Sequence, residues 1–164
     1  MSETQHPAGG CTCGHVRYRV TADPLIVHGC HCRWCQRQSG SAFAINALLE
    51  TECIELTAGE VVETMIPSPG GKGQRMARCP ECGVTVWSNY YFSGLRDFIR
   101  FLRVGTLDNP DLMPPDVHIY TSTKQPRLNL PEGSLAVEEY YKTRETWSAA
   151  SLKRLDAVVK RAGI

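Results

Sequence analysis

The chain has 164 residues, 42% of them apolar and 21% charged, with a formal net charge of +1. That is enough chain for one domain around a single buried core, with an ordinary folded composition. The balanced charge argues against a surface built to track nucleic-acid phosphates, and no run of about 18 apolar residues predicts a membrane span.

Residues 1–8 are polar, lack the apolar stretch of a secretory signal, and read as a flexible leader. A cytoplasmic location is the expectation. HVRYRV (His15–Val20) alternates, with Val16, Tyr18 and Val20 on one face, which predicts a strand. Asp23-Pro24 marks a turn. LIVHG (Leu25–Gly29) is a short apolar strand that runs into three closely spaced cysteines. CQRQSGS (Cys35–Ser41) can hold a helical turn that stops at Gly40. AFAINALL (Ala42–Leu49) is the next strand, and CIELTAGEVVETMI (Cys53–Ile66) reads as two strands around a turn at Ala58-Gly59.

PSPGGKGQ (Pro67–Gln74) is a Gly/Pro loop and reads as a hairpin tip. It contains GGKG, but G-x-x-x-x-G-K-[ST] is absent and no helix pattern follows, which argues against a phosphate loop. VTVWSN (Val84–Asn89), DFIRFLRVG (Asp97–Gly105) and DVHIYTS (Asp116–Ser122) are strand-like. The tail from Ser148 is the one clear helix. Ser148 can cap it, Leu152, Leu155, Val158 and Val159 form its apolar stripe, and Gly163 can end it. Many short strands with regular turn signals predict a mainly β fold with a C-terminal α-helix. The domain plan is a leader over 1–8, a zinc-binding β domain over 9–147, and a helix over 148–164.

Eight cysteines carry the chemistry. In a reducing compartment, clustered cysteines point to metal or redox chemistry. A secreted disulfide scaffold is the counter-reading; the polar N-terminus, the length and the close pairing argue against it. CTCG supplies Cys11 and Cys13, CHCRWC supplies Cys30, Cys32 and Cys35, CPECG supplies Cys79 and Cys82, and Cys53 stands alone. C-P-x-C-G is a zinc-knuckle pattern. Proline fixes the backbone between the ligands, and glycine lets the chain turn back with positive φ. One knuckle brings two thiolates and structural zinc needs four. Cys11 and Cys13 can complete the set, although two cysteines of the middle cluster satisfy the same count.

With Cys11, Cys13, Cys79 and Cys82 assigned together, Cys30, Cys32 and Cys35 remain as a trio. Three protein ligands and one open position are the pattern of a catalytic zinc. Cys53, His31 or His28 could instead close a second structural site. His31 sits between two ligands, so its side chain is expected to point away from the metal. His28 reads as a strand-end histidine and Cys53 as a small half-buried residue. Three thiolates make a soft, weakly Lewis-acidic zinc, suited to a sulfur ligand more than to water activation. A substrate thiol could be held there as a thiolate and attack an aldehyde carbon.

With the clusters in place, the sequence resembles the glutathione-dependent formaldehyde-activating enzyme family, which includes the centromere protein V domain. The resemblance rests on GGCTCGHVRY, CHCRWCQRQSGSAF, RCPECGVTVW, VGTLDNP and HIYTSTKQP in that order, from about Gly9 to Tyr141. It implies antiparallel sheets packed like a tent and stapled by zinc. It also implies Cys11, Cys13, Cys79 and Cys82 as structural ligands, Cys30, Cys32 and Cys35 as catalytic ligands, and two zinc ions per chain. The implied reaction is that of a carbon–sulfur lyase, joining glutathione to formaldehyde as S-hydroxymethylglutathione or running in reverse. Arg127, in KQPRLNL, stands where family members often have a tryptophan.

The implied partner is a small-molecule thiol such as glutathione, with no nucleic acid and no membrane. Its two carboxylates call for cations or N–H donors. Arg33 and Arg37 lie near the trio, Lys72 and Arg75 on or beside the Gly-rich loop, and Lys124 after HIYTS; each taken singly reads as an ordinary surface charge. Trp34 could wall a pocket, and Ser39 and Ser41 are explained by a helix end. The C-terminal helix packs on the sheet or covers a homodimer interface, and the sequence does not choose. Two rivals stand beside the enzyme reading: a non-catalytic zinc module that binds glutathione or a protein, and a methionine sulfoxide reductase. The last would want two C-x-x-C knuckles and an activated reactive cysteine, and Cys53 has no cationic neighbour in sequence.

Overall fold

The computed structural model describes residues 7–164; Met1–His6, most of the expected leader, lie outside the described residues. Among the described residues ten strands form two sheets. β1 (Ala8–Gly10), β2 (Arg17–Val20) and β5 (Ile54–Ala58) make a three-stranded antiparallel sheet in the order β1-β2-β5. The larger sheet contains β3 (Ile26–Cys30), β4 (Ala44–Glu50), β6 (Val62–Ile66), β7 (Gln74–Arg78), β8 (Thr85–Tyr90), β9 (Ile99–Arg103) and β10 (Val117–Ile119). Its order is β10-β3-β4-β9-β8-β7-β6.

Side chains alternate across a strand, so a sheet can feed two cores. Along β4, Ala47 and Leu49 join Val16, Tyr18, Trp87 and Leu102 in one core, while Leu48 joins Leu25, Ile99 and Val117 in another. The first core lies between the sheets, where the edge of Tyr18 meets Trp87 at 6.0 Å. The second is covered by the C-terminal segment. α2 (Thr143–Thr146) leads into Trp147, and α3 (Ala149–Ala162) buries Leu155 and Val158 there. Fully burying such a side chain contributes about 1.5–3 kcal/mol. The helix therefore packs on the sheet. Ser148 caps it by accepting from the Ser151 N–H, and Gly163 ends it in the left-handed conformation.

Arg154 fastens α3 from its polar side. Its guanidinium donates to both carboxylate oxygens of Glu50, at 2.8 and 2.5 Å, and to the Asp23 carbonyl. Glu50 is buried, which pushes its carboxyl up, but the hydrogen bonds and charge of Arg154, together with a backbone hydrogen bond and Cys53, hold it below the usual carboxylate range.

Two pairings depart from the expected local pattern. β5 and β6 follow one another around Gly59 but are not a hairpin: β5 pairs with β2 and β6 with β7. β10 runs parallel to β3, and all other strand pairs are antiparallel. β10 is also only three residues long. Tyr120 takes a left-handed conformation (φ 56°, ψ 42°) that ends the strand and starts a 3-10 turn over Thr121–Thr123. The His118 ring lies across Gly29 of β3, where an added Cβ would come within 2.6 Å of His118 Nδ1.

Candidate functional site

Two cysteine groups form at opposite covers of the large sheet. Cys11 and Cys13, just after β1, meet Cys79 and Cys82, just after β7, with the four sulfurs within 4.8 Å of one another. Cys11–Cys13 and Cys13–Cys79 sulfur separations are 3.4 and 3.7 Å. A tetrahedral zinc with Zn–S bonds of about 2.3 Å spaces its sulfurs about 3.8 Å apart, so the donor set fits. Both turns curl around a ligand. Gly83 has φ 74° and returns its N–H to the Cys79 carbonyl at 3.0 Å, and the Val16 N–H donates to Cys11 Sγ at 3.2 Å. Cys11 and Cys79 are buried and Cys13 and Cys82 are exposed, as at a site on the rim between two sheets.

Cys30 closes β3, Cys32 caps α1 (Arg33–Ser39), and Cys35 lies one turn into that helix. Their sulfurs also lie within 4.8 Å, with Cys30 and Cys32 at 3.5 Å. The Cys35 N–H donates to Cys32 Sγ at 3.3 Å. The side chains of Cys30 and Cys35 and these helix N–H groups all favour the Cys32 thiolate and lower its pKa. α1 stops at Gly40, which is left-handed at φ 63°. Each group is an all-sulfur set able to hold a metal ion, and soft thiolates suit zinc.

Among the described residues no histidine and no fourth cysteine joins the trio. His31 is buried but turned away: its Nε2 meets His118 Nδ1 at 2.9 Å and its ring stacks on Phe43. His28 Nε2 meets the Tyr141 hydroxyl at 2.5 Å, and Trp147 Nε1 donates to the same oxygen at 2.8 Å. Burial lowers the His28 pKa to about 3, so the ring is neutral. Cys53 packs against the first core and donates to Glu50 at 3.8 Å.

The trio lines a cavity of about 520 Å³ on the helix-covered face. Its wall is strongly aromatic: Trp34, Tyr90, Phe92, Phe101, Tyr120 and Tyr141 all contribute. Trp34 Nε1 donates to Gln74 at 3.0 Å, and Gln74 donates to Ser88 at 2.8 Å, which fixes the indole. Among the described residues, and apart from the thiols, Arg103 is the one charged side chain in the wall, held by Asn46 at 2.7 Å.

The sequence profile of the glutathione-dependent formaldehyde-activating enzyme family matches residues 6–123. The chain belongs to this family. Two relatives share the name "Putative glutathione-dependent formaldehyde-activating enzyme". The one from Talaromyces marneffei is 26% identical over 161 residues, covering 93% of this chain and 85% of its own. The one from Emericella nidulans is 31% identical over 94 residues, covering 55% of this chain and 46% of its own. A crystal structure of a Rhodobacter sphaeroides protein aligns with 66% of this chain and 96% of that chain, at 22% identity and a TM-score of 0.48.

In this member of the family, the basic residues nearest in sequence to the trio and the Gly-rich loop do not form the cavity. Arg33 bonds Gln36, Arg75 pairs with Asp97 and Glu63, Lys72 lies 3.9 Å over the Tyr91 ring, and Lys124 donates to the Leu128 carbonyl. Arg37 and Arg127 are exposed, and neither lines the cavity. Arg103, Tyr120, Tyr140 and Tyr141 line it instead. The available signal for Arg103 was its place two and four residues after Phe101 and Ile99, on the same strand face.

Proposed function

We propose that the chain is a zinc-dependent carbon–sulfur lyase that adds a thiol, glutathione or a close relative, to formaldehyde or another small aldehyde, and catalyses the reverse cleavage. The observation that carries this reading is the trio's position: three cysteine sulfurs, with no fourth protein ligand beside them among the described residues, line a cavity large enough for a small molecule. On this reading Cys30, Cys32 and Cys35 hold one zinc and Cys11, Cys13, Cys79 and Cys82 a second. When bound at the trio, zinc supplies a soft open position that stabilises a substrate sulfur as thiolate at neutral pH.

The bookkeeping of the reaction needs no further reagent. A sulfur–carbon bond forms, the carbonyl π bond opens, and the proton from the thiol ends on the new hydroxyl; reversal releases thiol and aldehyde. The residues of this chain serve that step by holding and enclosing. The aromatic wall keeps bulk water from the hemithioacetal carbon and strengthens charge interactions inside. Arg103 faces the same space and offers positive charge to the oxygen that becomes anionic during attack. His28 and Tyr141, which line the cavity, are linked with Trp147 by hydrogen bonds that brace the wall. A cytoplasmic location is part of the proposal, since a reducing compartment keeps all seven ligand thiols available.

The test is magnetisation-exchange NMR on glutathione and formaldehyde, which reports adduct formation and breakdown at equilibrium. The zinc-loaded protein should raise the exchange rate well above the uncatalysed background, and Cys32→Ser should return it to background. Binding of glutathione with no rate increase would contradict catalysis and leave a non-catalytic glutathione-binding zinc module.

A further inference from the structure

A second cavity, of about 570 Å³, lies beyond the C-terminal end of α1. Its wall includes Arg78 at the end of β7, Thr85 at the start of β8 and Arg103 at the end of β9, with Ser39 and Ser41 at the helix end. Arg103 lines both cavities, so they adjoin at this residue. Gly83 and Gly105 keep the wall open, for a Cβ at either would meet nothing within 4 Å.

The charges here are one-sided. Neither cavity has a carboxylate in its wall among the described residues. Among the described residues Arg17, Arg19, Arg75, Arg144, Arg154 and Arg161 each have an acidic partner; Arg78 and Arg103, like Arg33, Arg37, Arg96, Arg100 and Arg127, have none. Arg78 Nε is buried without a hydrogen-bond partner. Arg78 and Arg103 both border this hollow with no carboxylate among its described lining residues, and a bound anion would supply that charge. A guanidinium presents a planar fork of donors that matches a carboxylate.

We propose that this second cavity is an anion subsite, in which Arg78 and Arg103 hold a carboxylate of a thiol-bearing peptide. The inference rests on the reading of the trio as a thiol site: the peptide lies across Arg103 with its sulfur in the first cavity and its carboxylate in the second. Such a site selects acidic peptide thiols over small neutral ones. It gives Arg103 two jobs, toward the carboxylate on one side and the reacting carbonyl on the other.

Calorimetry separates the two cavities. The probe is γ-glutamyl-alanyl-glycine, which keeps both carboxylates of glutathione and lacks its sulfur. Arg78→Gln should weaken this peptide by about tenfold or more, as loss of a hydrogen bond between charged groups does. Arg78→Lys should restore part of the loss, and 2-mercaptoethanol should bind both variants as it binds wild type. On the wild-type protein, which removes any question of folding, amidating both carboxylates of the peptide should have the same weakening effect as Arg78→Gln. The subsite is overturned if the amidated peptide binds as tightly as the acid, or if Arg78→Gln weakens 2-mercaptoethanol as much as the tripeptide. If glutathione binds no tighter than the alanyl peptide, the thiol reading of the trio fails, and the two carboxylate arms alone decide the subsite.

Discussion

The two cysteine groups use the same donor atom and answer opposite structural needs. Cys13 and Cys79 are 66 residues apart in the chain, and joining them ties the strand that opens the small sheet to the end of β7 in the large one. Cys30, Cys32 and Cys35 fall within six residues, at the junction of β3 and α1 that already makes its own backbone hydrogen bonds. Closing a long loop with a metal removes much more chain freedom than closing a short one. A metal in the first group therefore acts on the fold. A metal in the second can act on little except what enters the cavity beside it.

The largest expected effect follows from that difference. Cys79→Ser should abolish cooperative unfolding, because free energies of about 10–16 kcal/mol attach to structural zinc in small domains. Circular dichroism during thermal unfolding checks this; a variant that melts like wild type would mean that the corner does not staple the sheets.

A middle-sized effect concerns what holds the other face. There α3, not metal, covers the core. Arg154→Ala leaves the buried Glu50 unpaired, which should cost about 3 kcal/mol at neutral pH. The sign with pH is set by the depressed Glu50 carboxyl. Its contribution is complete above the ordinary carboxylate value of about 4.3 and disappears as pH falls through the lower folded value. The gap between wild type and Arg154→Ala in urea unfolding should thus close below about pH 4. A gap independent of pH would place the cost in lost helix packing instead.

The smallest expected effect is local to the cavity. Trp34→Phe removes the donor to Gln74 and keeps an aromatic wall. It should cost no more than about 1 kcal/mol of stability and change the KM for thiol by less than about tenfold. A loss of bound zinc in this variant would mean that the indole contact with Gln74 helps α1 to hold its two cysteines in place.

The site was more legible in the sequence than the architecture was. Ligand spacing is a local property, so C-x-C, C-x-x-C and the leftover trio could be counted without knowing the fold. Helix ends are local too, and Ser148, Gly40 and Gly163 cap where their chemistry suggests. Strand partnership is not local. CIELTAGEVVETMI has the pattern of a hairpin, yet its two strands are claimed by different sheets because Ile54 and Val62 have different neighbours to pair with. The parallel alignment of β10 with β3 likewise depends on residues far apart in the chain. The cavity wall was hidden for the same reason. Tyr140 and Tyr141 arrive from more than a hundred residues beyond His28, and an arginine ending a strand, as Arg103 does, resembles any surface charge until its opposite wall is known.

The most direct measurement is zinc stoichiometry joined to a folding readout, on wild type, Cys32→Ser and Cys82→Ser purified without chelator. The account predicts two zinc ions per chain for wild type. Cys32→Ser should hold one and keep the wild-type melting transition, while Cys82→Ser should lose the folded state. If Cys32→Ser unfolds as Cys82→Ser does, the two groups do the same work, and the division between a stapling corner and an open reactive centre is wrong.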